Sequence, residues 1–141
     1  MAALLCTARD LWIVAQTVWA ESRGEPQDGR YAVAHVIRNR AVLHPRWRGQ
    51  APATICQAPW QFSAWNAQDP NLPQMQRLGL NDAAFVACLH IAVDVLSGQH
   101  ADLTGGATHY YADTLSTPPA WARGKTPSAV LGHHRFFANI A

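Results

Sequence analysis

The run Glu21-Ser22-Arg23-Gly24-Glu25-Pro26 interrupts two helix-patterned segments and fixes a corner early in the chain. Upstream, Leu4, Ala8, Leu11, Trp12, Ala15, Val18 and Trp19 recur at three- and four-residue intervals, the spacing that gathers side chains on one helical face. Thr7 with Asp10 has the form of a capping pair, so the first helix is expected to start there and run to about Ser22. Gly24 suits the left-handed residue after a helix, Pro26 suits the first position of the next, and the residue before a proline is pushed out of helical geometry. Ala32, Val33, Val36, Ile37, Arg40 and Ala41 then keep helical spacing to about Val42. The expectation is two helices packed against each other across the Gly24 corner, with Glu25 in the corner itself.

Glu21 and Glu25 are the only glutamates in the chain. A carboxylate in the last helical turn faces the negative end of the macrodipole, and burial beside Trp19 would also disfavour its charge. Glu21 is therefore a candidate general acid, with Arg23 expected to oppose the shift. The plainer alternative is that both glutamates are solvated, or pair with Arg23 and Arg30. Asn39, a poor helix former in the second helix, is solvated or bonds the corner's backbone, and in the second case helps fix Glu21.

Between His44 and Leu80 stand Pro45, Pro52, Pro59, Pro70 and Pro73, with Gly49 and Gly79, which forbid long regular elements. Within this region Trp60-Gln61-Phe62-Ser63-Ala64-Trp65 sets two indoles and a phenyl among amide and hydroxyl groups. Such a segment either pins the loop to the core or offers a surface suited to sugar rings, which have apolar C–H faces rimmed by hydroxyls. Asn81 and Asp82 can cap a third helix with Phe85, Val86, Leu89, Ala92, Val93 and Leu96 as its buried stripe, ended by Gly98. This third helix is expected to be the central or longest one. Beyond it, His109-Tyr110-Tyr111-Ala112 and Leu131 to Phe137 read as two short strands that can pair.

The 141 residues suit one catalytic domain, mainly helical with a small β element, an α+β chain of about three main helices, short helices and a hairpin. A formal charge of +2, from ten arginines and one lysine against nine acids, is too small for a nucleic-acid footprint. Cys6, Cys56 and Cys88 lack paired or metal-like spacing, so reduced thiols are expected and no metal or other cofactor is implied. No apolar run reaches the length of a membrane span, and the N-terminus lacks the form of a signal peptide.

Five spaced pieces, in this order, resemble the cell-wall hydrolase family of spore-cortex-lytic enzymes and phage endolysins. They are Glu21 to Pro26; Ala32 to Arg40; Gln61-Phe62-Ser63 with Trp65; Asp102 and Thr104 with Gly106-Ala107-Thr108-His109-Tyr110-Tyr111; and Trp121 with Gly132-His133-His134-Arg135-Phe136. The resemblance departs from the family's pattern at Ser22, usually Ala, and at His133, usually Asn. It implies a lysozyme-like fold that cleaves the β-1,4 bond between N-acetylmuramic acid and N-acetylglucosamine in peptidoglycan. Glu21 matches the family's catalytic glutamate. By the same resemblance Gln61, Ser63, Thr108, Tyr110 and Tyr111 would line the sugar groove, and Glu25, Phe62, Trp65, Thr104, His109, Trp121 and His134 are also expected to bind substrate.

Glycosidic cleavage needs an acid for the leaving oxygen and a second group to meet the oxocarbenium ion. Glu21 fills the first role, and no residue securely fills the second. A lytic transglycosylase, whose substrate closes its own C6 hydroxyl onto C1, needs no second carboxylate; a hydrolytic muramidase remains the alternative. Two remoter alternatives are a cysteine amidase or peptidase using Cys56 or Cys88 with His109, and a wall-binding protein without activity. The expected setting is a monomeric phage or prophage endolysin, made in the host cytoplasm, released by a holin and acting on glycan strands in the wall.

Overall fold

The computed structural model describes residues 2–141. Its first helix, α1 (Ala8–Glu21), opens with a reciprocal cap: Asp10 N–H donates to Thr7 Oγ1 at 3.2 Å and Thr7 N–H donates to Asp10 Oδ2 at 2.8 Å. The other carboxylate oxygen of Asp10 accepts the Ala53 N–H at 2.9 Å, so one buried aspartate also secures the start of the short helix α3 (Pro52–Gln57). The corner turns as the residues require. Glu25 N–H donates to Ser22 C=O, and Gly24 takes φ +77, a conformation that costs glycine nothing. Pro26 is the cap residue of α2 (Gln27–Val42) and stands one place before the first helical position expected for it.

The post of the fold is α2, the longest helix, and not the third main helix, α5 (Ala83–Leu96). Every residue from Tyr31 to Ala41 is buried, because α1, α3, α5 and the sheet enclose α2 on all sides. The polar side chains of that stretch are therefore inside and mostly partnered, although His35, 3.0 Å from His100 Nδ1 through Nε2, keeps its own Nδ1 without a hydrogen bond. Arg38 donates to the carbonyls of Val95 and Leu96 at the end of α5 and to that of Ala2. Asn39 donates to Asp102 Oδ2 and to Ala107 C=O, each at 2.9 Å, and so holds the loop before the sheet and not the α1–α2 corner.

Helix α5 begins at the Asp82 cap and is followed by left-handed Gly98. Its buried stripe is Phe85, Cys88, Ile91, Ala92, Val95 and Leu96, a rotation from the expected stripe that leaves Val93 47% exposed. Phe85 packs edge-on against Trp12 of α1, with ring centroids 4.7 Å apart. The proline-rich region holds only α3, a 3-10 turn at Ser63–Trp65 and α4 (Asn71–Gln76). Gln16 ties α4 to α1 by donating to Met75 C=O at 3.0 Å.

The β element has three strands, one more than expected. They are β1 (His109–Ala112), β2 (Ala129–Leu131) and β3 (His134–Phe137), antiparallel in the order β1-β3-β2. Tyr110 pairs with Phe136 and Leu131 with His134. The segment read as one strand from Leu131 is broken by a two-residue turn, Gly132-His133, with Gly132 at φ +56. A tight turn with glycine in first place matches the twist of the strands it joins. Phe136 seals the sheet against Ala32 and Val36 of α2. Among the described residues no helix is long and apolar enough to cross a membrane.

Candidate active site

Glu21 is the last residue of α1, and its half-buried carboxylate accepts a hydrogen bond from Tyr110 Oη on β1 at 2.9 Å. Burial raises its carboxyl above the ordinary value, and the negative charge of Asp69 adds to that; Tyr110, the Ala64 N–H and Arg40 act the other way and do not cancel it. The same contact, with burial, pushes the Tyr110 phenol well above its usual range, which keeps its proton available to Glu21. A carboxyl biased toward its protonated form and aimed by a fixed donor is chemically a general acid.

The opposing cation is Arg40 and not Arg23. Arg23 lies over the Trp19 ring at 4.4 Å and donates to Asn71 and Gln74, while Arg30 donates to the Glu25 carbonyl. Arg40 is buried, with Nε donating to Thr108 C=O at 2.8 Å and a terminal nitrogen donating to Gln61 Oε1 at 3.3 Å. Its guanidinium rests over the rings of Trp47 and Phe62. Burial brings its pKa down to about 10, so it stays charged at neutral pH. Arg40 was expected only as a helix-face residue, yet an arginine on a stripe with Val33, Val36 and Ile37 was the signal of a buried cation.

The residues named from the sequence divide into three groups. Tyr110 bonds Glu21 directly, Gln61 accepts from Arg40, whose charge reaches Glu21, and Trp65, at the edge of the neighbouring groove, donates from Nε1 to Thr17 Oγ1, one turn before Glu21 on α1, at 2.9 Å. Ser63 is exposed at the start of the 3-10 turn that carries Ala64.

A second group is enclosed. Phe62 is 1% exposed and belongs to the main core beneath Arg40, which takes it out of any sugar-contacting surface. Thr104 is buried and its hydroxyl donates to Asp102 Oδ1, so it fastens a loop instead of meeting a ligand. Thr108 is buried against His109, 2.9 Å from Oγ1 to Nδ1. Glu25 is 6% exposed: Oε1 accepts the His133 N–H at 2.7 Å and lies 3.4 Å from His134 Nδ1. It braces the hairpin turn, and buried His134 sits between it and Tyr110.

The third group faces the other side of the sheet. Successive strand residues point to opposite faces, so Tyr110 meets Glu21 while Tyr111 stacks on Phe137 at 5.5 Å and His109 packs on Trp121 at 4.9 Å. His109, Tyr111 and Trp121 form a separate aromatic cluster there. Reading His109-Tyr110-Tyr111 as one surface missed this alternation.

A thiol mechanism has no footing. Burial pushes the Cys56 thiol up to about 12 and the Cys88 thiol up to about 11, away from the thiolate a nucleophile needs. Asp102 is also committed, accepting from the Thr104 and Gly106 N–H groups as well as from Asn39 and the Thr104 hydroxyl. Asp69, not singled out from the sequence, is the carboxylate whose charge reaches Glu21, and it borders a surface groove of about 610 Å³ together with Trp60 and Trp65.

Known proteins share this fold. The crystal structure of the catalytic domain of the Bacillus cereus SleB protein superposes with a TM-score of 0.72 at 26% identity, covering 96% of this chain and 94% of that one. The catalytic domain of Bacillus anthracis SleB, titled a germination-specific lytic transglycosylase, gives 0.69 at 26% identity over 92% and 94%. The spore cortex-lytic enzyme of Halalkalibacterium halodurans is 34% identical over 128 residues, 90% of this chain and 34% of that protein, so the chain spans about a third of that relative's length. The fold is thus the lysozyme-like one, mainly helical with a small antiparallel sheet. The family described as Cell Wall Hydrolase matches residues 24–137, and with most of its length inside that match this chain belongs to the cell wall hydrolase family.

Proposed function

We propose that the chain is a peptidoglycan lytic transglycosylase, cutting the β-1,4 bond between N-acetylmuramic acid and N-acetylglucosamine with Glu21 as acid and then base. The protonated Glu21 carboxyl gives its proton to the glycosidic oxygen, the C1–O bond breaks, and an oxocarbenium ion forms on the muramic ring. The Glu21 carboxylate then removes the proton of the C6 hydroxyl, whose oxygen bonds to C1 to give a 1,6-anhydro end. The observation that carries this reading is Glu21 itself, raised by burial and held by Tyr110, while the neighbouring glutamate, Glu25, is spent on the hairpin turn.

Asp69 supports a second reading, hydrolysis, in which it would activate a water. Mass spectrometry of peptidoglycan digested by the purified chain separates the two, since the anhydro product is one water lighter. Glu21→Gln keeps the shape and removes the acid, so it is expected to lose at least about 100-fold of muropeptide release; full activity in that variant would exclude Glu21 as the acid. The named relatives are spore-cortex enzymes, which favours lysis or remodelling of a bacterium's own wall over the holin-dependent phage release expected from the sequence. In either setting the chain acts on glycan strands in the wall.

A further inference from the structure

Trp60 has no task in the mechanism above, yet it is the most conspicuous side chain on the surface. It is 83% exposed and holds φ +64, a left-handed backbone conformation that bulky residues rarely adopt. Folding gains nothing from exposing an indole on a strained backbone, and strain of this kind gathers at ligand sites. The groove it borders brings together two indoles, Trp60 and Trp65, with the amides of Gln57, Asn66 and Gln68 and the carboxylate of Asp69. No arginine, lysine or histidine lines it.

That chemistry selects its occupant. Flat indoles fit the C–H face of a pyranose, and neighbouring amides fit ring hydroxyls and an N-acetyl group. The carboxylate on the lining repels phosphates and the free carboxylates of peptide stems, and the Arg9 guanidinium that reaches Gln57 is taken up by its amide oxygen at 3.1 Å. The groove also stands beside the helix that carries the acid: Trp65, on its lining, is fastened to Thr17 one turn before Glu21, and the charge of Asp69 reaches Glu21. We propose that Trp60 and Trp65 form a subsite for an uncharged N-acetylhexosamine ring of the glycan strand, outside the bond that is cut. This subsite rests on the glycosidase reading and extends it.

The test uses the full chain carrying Glu21→Gln, titrated calorimetrically with chitohexaose, a neutral chain of N-acetylglucosamine. Adding Trp60→Gly removes the ring at a position where glycine is at ease, so thermal stability is expected to hold while Kd rises about tenfold. Trp60→Phe, which restores a ring, is expected to recover most of the affinity. An unchanged Kd in Trp60→Gly overturns the subsite, as does a Phe variant no better than Gly, or an absence of chitohexaose binding to the Glu21→Gln chain. Muropeptide release by the wild-type chain is scored separately. If release occurs but Trp60→Gly binds normally, only the subsite falls; if no release occurs, the glycosidase reading falls with it.

Discussion

Glu21 and Glu25 stand in one corner and have opposite surroundings. Because burial and Asp69 raise the Glu21 carboxyl above 4.5, the folded chain holds that proton more tightly than the unfolded chain does. The resulting stabilisation is fully present below the unfolded value and is lost as pH rises through the folded one. Glu21→Gln abolishes the titration, so its Tm is expected to exceed that of wild type at neutral pH, with the gap closing as pH falls below 4.5; equal Tm values at neutral pH would contradict this. Tyr110→Phe removes a donor that favours the charged form. The alkaline limb of its activity profile is therefore expected to move to higher pH, because the acid must be protonated to act. An unmoved limb would show that Tyr110 does not tune the acid. Glu21 was legible from sequence because a lone carboxylate at a helix end is a local feature. The surroundings of Glu25 were not, since its partners at His133 and His134 arrive from the far end of the chain.

The elements explain which parts of the pattern could be read. Helices α1 and α5 show one apolar face each, so period and caps announced them. In α2 the pattern understated burial: His35, Arg38 and Asn39 look like a solvated face but are enclosed, each bonded to a group from a distant part of the chain. The strand β2 is three residues long and carries no alternation that a sequence could display. The hairpin turn gives the sharpest element-level test. A Cβ on Gly132 would lie 2.8 Å from Glu25 Oε1 and 3.0 Å from Pro26 Cδ, at φ +56. Gly132→Ala is expected to cost about 2 kcal/mol and several degrees of Tm; a variant as stable as wild type would mean that the turn does not press on Glu25. In the helical layer, Phe85→Ala opens a cavity between α1 and α5 and is expected to cost about 3–5 kcal/mol by urea unfolding.

Over the whole molecule, two histidines add to acid sensitivity, buried His35 and half-buried His109. His35 and His109 are both held at about 4 against 6.5 when free, chiefly by burial, with Asp102 opposing the shift at His35 and Arg40 and His44 assisting it at His109. The unfolded chain takes up these protons first, so this stability is present above 6.5 and is lost as pH falls through about 4. The urea midpoint is expected to drop across that window. His109→Phe, which keeps a ring against Trp121, is expected to flatten the drop; an unaltered slope would place the proton uptake elsewhere. The half-buried seat of Glu21 and its bond to Tyr110 carry one more consequence under the transglycosylase reading. The proton that leaves the carboxyl for the departing sugar returns from the sugar's own hydroxyl, so each turnover closes on itself and uses up no solvent. Its rate would then hold steady as osmolytes lower water activity, where a hydrolase built on the same frame would slow.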